Sequence, residues 1–143
     1  MTQIDFYTHV DDKLKTACAL AGKAFARGLK VTVFCPDPEQ AQHFDRLLWA
    51  APATGFVPHC APDDPLARET AVIVDCRGDA LLHDEVLVNL RPEWPPFFSR
   101  FQRLIEIVSV DDGDRAAARE RFRFYRDRGY EIRTHDLSKG REQ

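Results

Sequence analysis

The chain is 143 residues long, 44% hydrophobic and 30% charged, which fits one soluble domain with a full core and leaves no room for a second. Its formal net charge of -3 argues against the basic footprint of a protein that tracks a phosphate backbone, so any contact with DNA is expected to be indirect. No apolar run reaches the roughly 18 residues that a membrane span needs, and the opening MTQIDFYTHVDD lacks the basic-then-apolar layout of a secretory signal, so a cytoplasmic protein is expected.

Strand and helix signals alternate along the chain. Gln3 to Thr8 reads as a short strand, and Asp11 or Asp12 caps a helix whose apolar positions Leu14, Ala17, Cys18, Ala21 and Phe25 share one face before Gly28. Lys30 to Cys35 is a strand, followed by a helix from Pro36 to Ala50 with Asp37 and Glu39 at its positive end. Ala71 to Asp75 is a continuous apolar run of the kind buried on both sheet faces, and Glu85 to Leu90 reads as another strand. Trp94 to Phe98 opens a short helix before a strand from Leu104 to Val110. Asp112 or Asp114 caps the last long helix, Gly129 follows its end, and Tyr130 to Thr134 forms a final edge strand. Repeated strand-helix-strand units predict an α/β fold: a single domain over residues 1–137 with an open, mostly parallel sheet and helices on both faces. A polar, frayed tail, residues 138–143, follows.

Such a sheet is Rossmann-like in its layering, yet a nucleotide-binding loop is missing. The first strand-to-helix turn, Thr8-His9-Val10-Asp11-Asp12, has no glycine to admit a pyrophosphate and two carboxylates to repel one. Neither G-x-G-x-x-G nor a Walker A run occurs, so an enzyme acting on a nucleotide or other small molecule is the alternative rather than the leading reading. His9, His43, His59, His83 and His135 have no partners at metal-ligand spacing, and Cys18, Cys35, Cys60 and Cys76 form no C-x-x-C pair. Reduced, mostly buried thiols, no metal and no cofactor are expected. His59-Cys60 has the composition of a nucleophilic dyad, but adjacent residues seldom point at one substrate. Capping and turn formation account for Asp11-Asp12, Asp63-Asp64 and Asp111-Asp112.

The segment DRLLWAAPATGFVPH, Asp45 to His59, carries bulky apolar residues past the end of a helix. Ala41, Phe44, Leu47 and Leu48 give the helix one apolar face, and Ala50-Ala51-Pro52 ends it because proline cannot donate the next backbone bond. Trp49, Phe56 and Val57 then flank or occupy a short loop, which either folds onto the core or docks another protein. D-x-x-L-W at the helix end and F-V-P-H closing the loop resemble the signature of the chi subunits of bacterial DNA polymerase III. The resemblance extends to the opening strand with Phe6-Tyr7, to FCPDPEQA from Phe34 to Ala41, and to Ala118-Arg-Glu-Arg-Phe-Arg-Phe-Tyr125. It implies a non-catalytic bridge. One surface, here Trp49, Phe56, Val57 and Pro58, would bind the psi subunit and so the clamp loader, or a helicase that uses the same surface; another would bind the C-terminal tail of single-stranded-DNA-binding protein.

At about 100 degrees per residue, the last helix divides into two faces, Ala117, Ala118, Phe124 and Tyr125 on one and Arg115, Arg119, Phe122, Arg123 and Arg126 on the other. A charged stripe is usually a solvated face. Here Arg119 has arginines four residues away on both sides and no carboxylate three or four away, while Arg123 has Glu120 and Asp127 within reach. Phe122 sits in the stripe, where it is expected to gain nothing from the core, and an aromatic ringed by guanidinium groups suits an anionic group attached to something apolar. A DNA strand and an acidic peptide both qualify, and the negative net charge favours the peptide; a direct single-strand binder would instead show a broad basic groove. The family resemblance places Arg115, Arg119, Phe122 and Arg123 on the positions that receive the acidic, phenylalanine-ended tail. Where the family carries lysine and tyrosine this chain has arginine and Phe122, which keeps the charge and loses a hydroxyl.

Overall fold

The four-residue stretches Val31–Phe34 and Val72–Asp75 are buried along their whole length, which is the condition for a sheet covered on both faces. The computed structural model describes residues 1–50 and 56–140. Its elements in chain order are β1 (Gln3–Val10), α1 (Lys13–Ala26), β2 (Val31–Phe34), α2 (Pro38–Ala50), β3 (His59–Cys60), β4 (Val72–Asp75), β5 (Val86–Asn89), β6 (Arg103–Ser109), α3 (Asp112–Asp127), β7 (Ile132–Asp136) and a helical turn, α4 (Leu137–Gly140). The seven strands form one sheet in the order β3-β4-β2-β5-β6-β1-β7, and every pairing is parallel. The open α/β sheet expected from the sequence is therefore the fold.

Side chains alternate across the sheet and so feed two cores. Val31, Val33, Val86, Val88, Ile105 and Ile107 face Ala17, Ala21, Phe44 and Leu48 of α1 and α2. Ile4, Phe6, Phe34, Leu87, Leu104 and Val108 face Ala118 and Tyr125 of α3, with Phe98 and Phe101 closing that side. Glu106, between Ile105 and Ile107 on β6, necessarily points toward α3 and is completely buried. It accepts hydrogen bonds from Arg121 Nε at 2.9 Å, Tyr125 Oη at 2.6 Å and Asn89 Nδ2 at 3.0 Å. Burial pushes the Glu106 carboxyl up, and Arg121, itself 1% exposed, opposes this as its counter-ion.

Several local expectations are corrected. The N-cap of α3 is Asp111, whose carboxylate accepts the Asp114 amide at 2.9 Å, because Asp114 is engaged by the Ser109 amide at 2.8 Å and Lys13 Nζ at 3.0 Å. The expected short helix after Trp94 is a single 3-10 turn, Phe98–Arg100, since Pro95 and Pro96 supply no amide donors upstream. Leu137–Gly140 form the helical turn α4, where the Ser138 amide and hydroxyl both donate to Asp136 Oδ1. Strand β3 was not foreseen, two residues being too few for a periodic signal. The helix end assigned to Ala51-Pro52 lies outside the described residues.

Candidate functional site

Strands β6, β1 and β7 lie side by side at one end of the sheet, and α3 crosses the α3-side face above them. Between their carboxyl ends and α3 lies a cavity of about 350 Å³. Its floor is apolar, built from Phe6, Val108, Ala118 and Phe122. Phe122 is half-buried, with its ring 5.4 Å from that of Phe6 in an edge-on arrangement. The expectation that Phe122 gains nothing from the core is thus overturned, because the stripe curves far enough round α3 for Phe122 to pack on buried Phe6 of β1. Arg115 and Arg119 form the cationic wall of the same cavity, and Thr8, His9, Ser109 and Thr134 its polar rim.

The five stripe residues separate into two groups. Arg115, Arg119 and Phe122 line the cavity. Arg123 donates to Glu120 Oε1 at 3.0 Å and Arg126 to Asp127 Oδ1 at 3.2 Å, and neither reaches the cavity wall. Arg115 lies 3.9 Å from the fully exposed Asp112, a contact that solvent screens almost entirely. Arg119 has no carboxylate partner among the described residues. An unpaired guanidinium above an apolar floor suits a ligand whose carboxylate adjoins an aromatic ring.

Sequence reasoning missed the contribution of β1. The pairing of β1 with β6 runs in step from Gln3↔Arg103 to Tyr7↔Ile107 and resumes at Val10↔Ser109, so one extra residue of β1 bulges beside the cavity. His9 sits in that bulge at φ 59°, the one non-glycine residue with positive φ among those described. A lone histidine in a strand-to-helix turn carries no periodic signal, and a register slip is invisible until the neighbouring strand is known.

The second surface is built from the end of α2 and the residues that lead into β3. Trp49 and Phe56 are 64% and 63% exposed, so neither ring folds onto the core, and their centroids are 5.3 Å apart. Val57, by contrast, is 1% exposed and belongs to the core packed against α1 and α2, so it anchors the segment and offers no side chain to a partner. Pro58 is half-buried and its carbonyl accepts the Val72 amide at 3.2 Å, which ties the segment to β4. His59 supports Trp49 from below, with ring centroids 5.1 Å apart. Its Nδ1 contacts the Val57 carbonyl at 2.7 Å, and its Nε2 lies 2.9 Å from Asp45 Oδ1 at an angle outside that of a hydrogen bond. Successive residues of a strand point to opposite faces, so His59 and Cys60 make no dyad.

A further cleft of about 380 Å³ lies at the carboxyl ends of β3 and β4. Asp63, Asp75 and Asp79 line it against Arg77 alone, a charge balance that repels a phosphate. Burial pushes the Cys18 and Cys35 thiols up to about 11 and about 12, which keeps both protonated at neutral pH. Among the described residues no cluster of His, Cys, Asp and Glu is placed to hold a metal ion, and no helix is long and apolar enough to cross a membrane.

The family model for the DNA polymerase III chi subunit, HolC, matches residues 1–133. The DNA polymerase III subunit chi of Pseudomonas aeruginosa is 36% identical over 142 residues, covering 96% of this chain and 98% of its own length. Those of Escherichia coli and Haemophilus influenzae are 30% and 31% identical, covering 82% and 85% of this chain and 80% and 85% of their own.

Proposed function

The chain belongs to the DNA polymerase III chi subunit family, whose members are accessory, non-catalytic subunits in DNA replication, and on that premise we propose that it is an adaptor joining two partners within the replisome. The cavity under α3 takes the acidic, phenylalanine-ended C-terminal tail of single-stranded-DNA-binding protein. The Trp49 and Phe56 surface takes the psi subunit, and through it the clamp loader, or a helicase that competes for the same place. DNA is reached only through these proteins, in the cytoplasm.

The observation that carries the reading is the cavity itself. Its floor of Phe6, Val108, Ala118 and Phe122 matches a terminal phenyl ring, and Arg115 and Arg119 stand where a terminal carboxylate would be. A nucleic acid strand would need an extended basic track, whereas Arg123 and Arg126 are already engaged by their own carboxylates. The two surfaces also lie toward opposite edges of the seven-stranded sheet, with β3 at one edge and β7 at the other. At about 4.8 Å per strand the edges are roughly 30 Å apart, far enough for both partners to bind together.

Titration calorimetry with a tail peptide tests this. Arg119→Ala should weaken an acidic peptide ending in phenylalanine by about 1.5 to 3 kcal/mol, the scale of a hydrogen bond to a charged group, and leave the melting temperature nearly unchanged. Amidating the peptide's C-terminus or replacing its last phenylalanine by alanine should each lower affinity as well. Equal binding by all of these would show a diffuse electrostatic contact and remove the cavity from consideration.

A further inference from the structure

Of the two edges of the sheet, β3 is two residues long, whereas β7 runs for five, from Ile132 to Asp136, and contains no proline. Natural sheets usually shorten, cover or bend an edge, because its unpaired N–H and C=O groups are a template for another strand. Successive residues of a strand turn their main-chain groups to opposite sides, so about half of those on β7 face β1 and half face outward. Among the described residues, the main chain of Ile132 to His135 pairs with β1 alone, and no loop or side chain hydrogen-bonds to it from outside. After β7 the chain turns back onto the sheet, where Leu137 packs against the core under α1 and α2. Arg133 and Thr134 are accordingly exposed.

This edge is continuous with the cavity. Thr134 of β7 lines it and stands in register with Phe6 of its floor, so both side chains point to the α3 face. A residue set beside Thr134 on an added strand, about 4.8 Å further out, projects its side chain to that same face, over Thr134 and toward Phe6 and Phe122. Direction follows from where the cavity lies. It opens at the carboxyl half of β7, so a chain that ends in it can lie along the rest of the edge only by running parallel to β7, as all the strands of this sheet do. Charge agrees with an acidic occupant. Arg133 on the edge, like Arg119 in the cavity, has no carboxylate partner among the described residues, and the one carboxylate of β7, Asp136, is engaged by the Ser138 amide and hydroxyl. A small aromatic anion would fill the cavity and leave the edge untouched, whereas an extended acidic tail uses both.

We propose that β7 is the second half of the tail site: the residues upstream of the terminal phenylalanine add to the sheet as a further strand, parallel to β7, with the last residue beside Thr134. This rests on the tail-binding reading given above. Amide hydrogen exchange, read residue by residue by NMR with and without a saturating acidic, phenylalanine-ended peptide, tests it. Among the amides of Ile132 to His135, those facing β1 should exchange slowly in both states. The alternate ones should exchange rapidly in the free protein and about tenfold or more slowly in the complex. In the peptide, single N-methylation of the upstream amides should weaken binding about three- to tenfold at every second position, the loss of one neutral hydrogen bond, and little at the positions between. Arg133→Glu should weaken the unmodified peptide by a similar factor. Unchanged exchange along β7 with the peptide bound, N-methyl effects without alternation, or wild-type affinity in Arg133→Glu would each overturn the proposal. So would β7 protection in the free protein that grows with protein concentration, which would show that a second copy of the chain takes the edge. Arg119→Ala, run alongside, separates the two questions. If it weakens the peptide while β7 exchange in wild type is unmoved, only the added strand is lost; if it binds as wild type, the cavity reading and the strand built on it both fall.

Discussion

Arg121 lies three residues after Ala118 and four before Tyr125, on the face of α3 that turns to the sheet, and it is buried for that reason. Its Nε meets Glu106 and its second nitrogen donates to the Pro92 carbonyl at 2.8 Å, so it links α3, β6 and the loop after β5. Removing one member of such a pair strands the other charge in the core. Arg121→Met should therefore lower stability by about 3 to 5 kcal/mol in urea denaturation. Adding Glu106→Gln, which removes the stranded charge while keeping an amide for Tyr125 and Asn89, should restore a substantial part. If the single variant unfolds at the wild-type urea concentration, the pair contributes nothing to stability. The position was open to detection from spacing alone, as an arginine between two residues of the apolar face. The identity of its partner was not, because Glu106 lies fifteen residues away on another element.

At the scale of elements, the end of α2 and the entry to β3 present two rings that the domain does not use. Bulky aromatics dominate interface energies when a partner covers them, and exposed ones contribute little to the stability of the chain that carries them. Phe56→Ala should abolish co-purification with psi, shift the melting temperature little, and leave affinity for the acidic tail peptide unchanged, since the cavity is made by other elements. Val57→Ala should behave differently. It removes apolar volume from a packed site and should destabilise the fold by about 1 to 3 kcal/mol. Unfolding of Phe56→Ala rather than loss of the partner would falsify the interface assignment. The aromatic composition of this segment was plain in the sequence. Which of Trp49, Phe56 and Val57 turned outward was decided by how the segment enters β3 and by the bond from Pro58 to β4.

Across the whole molecule, two carboxylates hold distant parts of the chain together. Asp5, 1% exposed on β1, accepts from Arg103 Nε of β6 at 2.9 Å and lies 2.9 Å from His135 Nε2 of β7. Asp114 joins α3 to the start of α1 through Lys13 and to the end of β6 through the Ser109 amide. Burial pushes both carboxyls up, but hydrogen bonds from His135, Arg103 and Gln3 to Asp5, and from Ser109 and Lys13 to Asp114, together with the charges of Arg103 and Lys13, outweigh it and hold both below the ordinary value of 3.8. A carboxyl lowered in the folded state gives stability that is fully present above its unfolded value and is lost as pH falls through its folded value. Stability should therefore decline on acidification below about pH 4. The Asp5→Asn, Asp114→Asn double variant should be less stable at pH 7, and its difference from wild type should shrink toward pH 2. Glu106 is common to both proteins and cancels in that difference. A difference that stays constant from pH 7 to pH 2, followed by circular dichroism in urea, would show that the two ion pairs do not set the acid limb.

The alternation of strands and helices along the chain and the apolar face of each helix follow from periodicity and from capping and turn residues, because these are local properties of ten or so residues. Arg119 as the stripe's uncompensated cation was legible for the same reason, since its possible partners on the helix lie within one turn. Tertiary structure alone decided that Phe122 reaches Phe6, that Arg123 and Arg126 turn away from the cavity, that Arg121 is buried on Glu106, and that a bulge brings His9 to the rim. Each of these depends on strand order and register, and register relates residues about a hundred positions apart, such as Val10 and Ser109, which no local pattern connects.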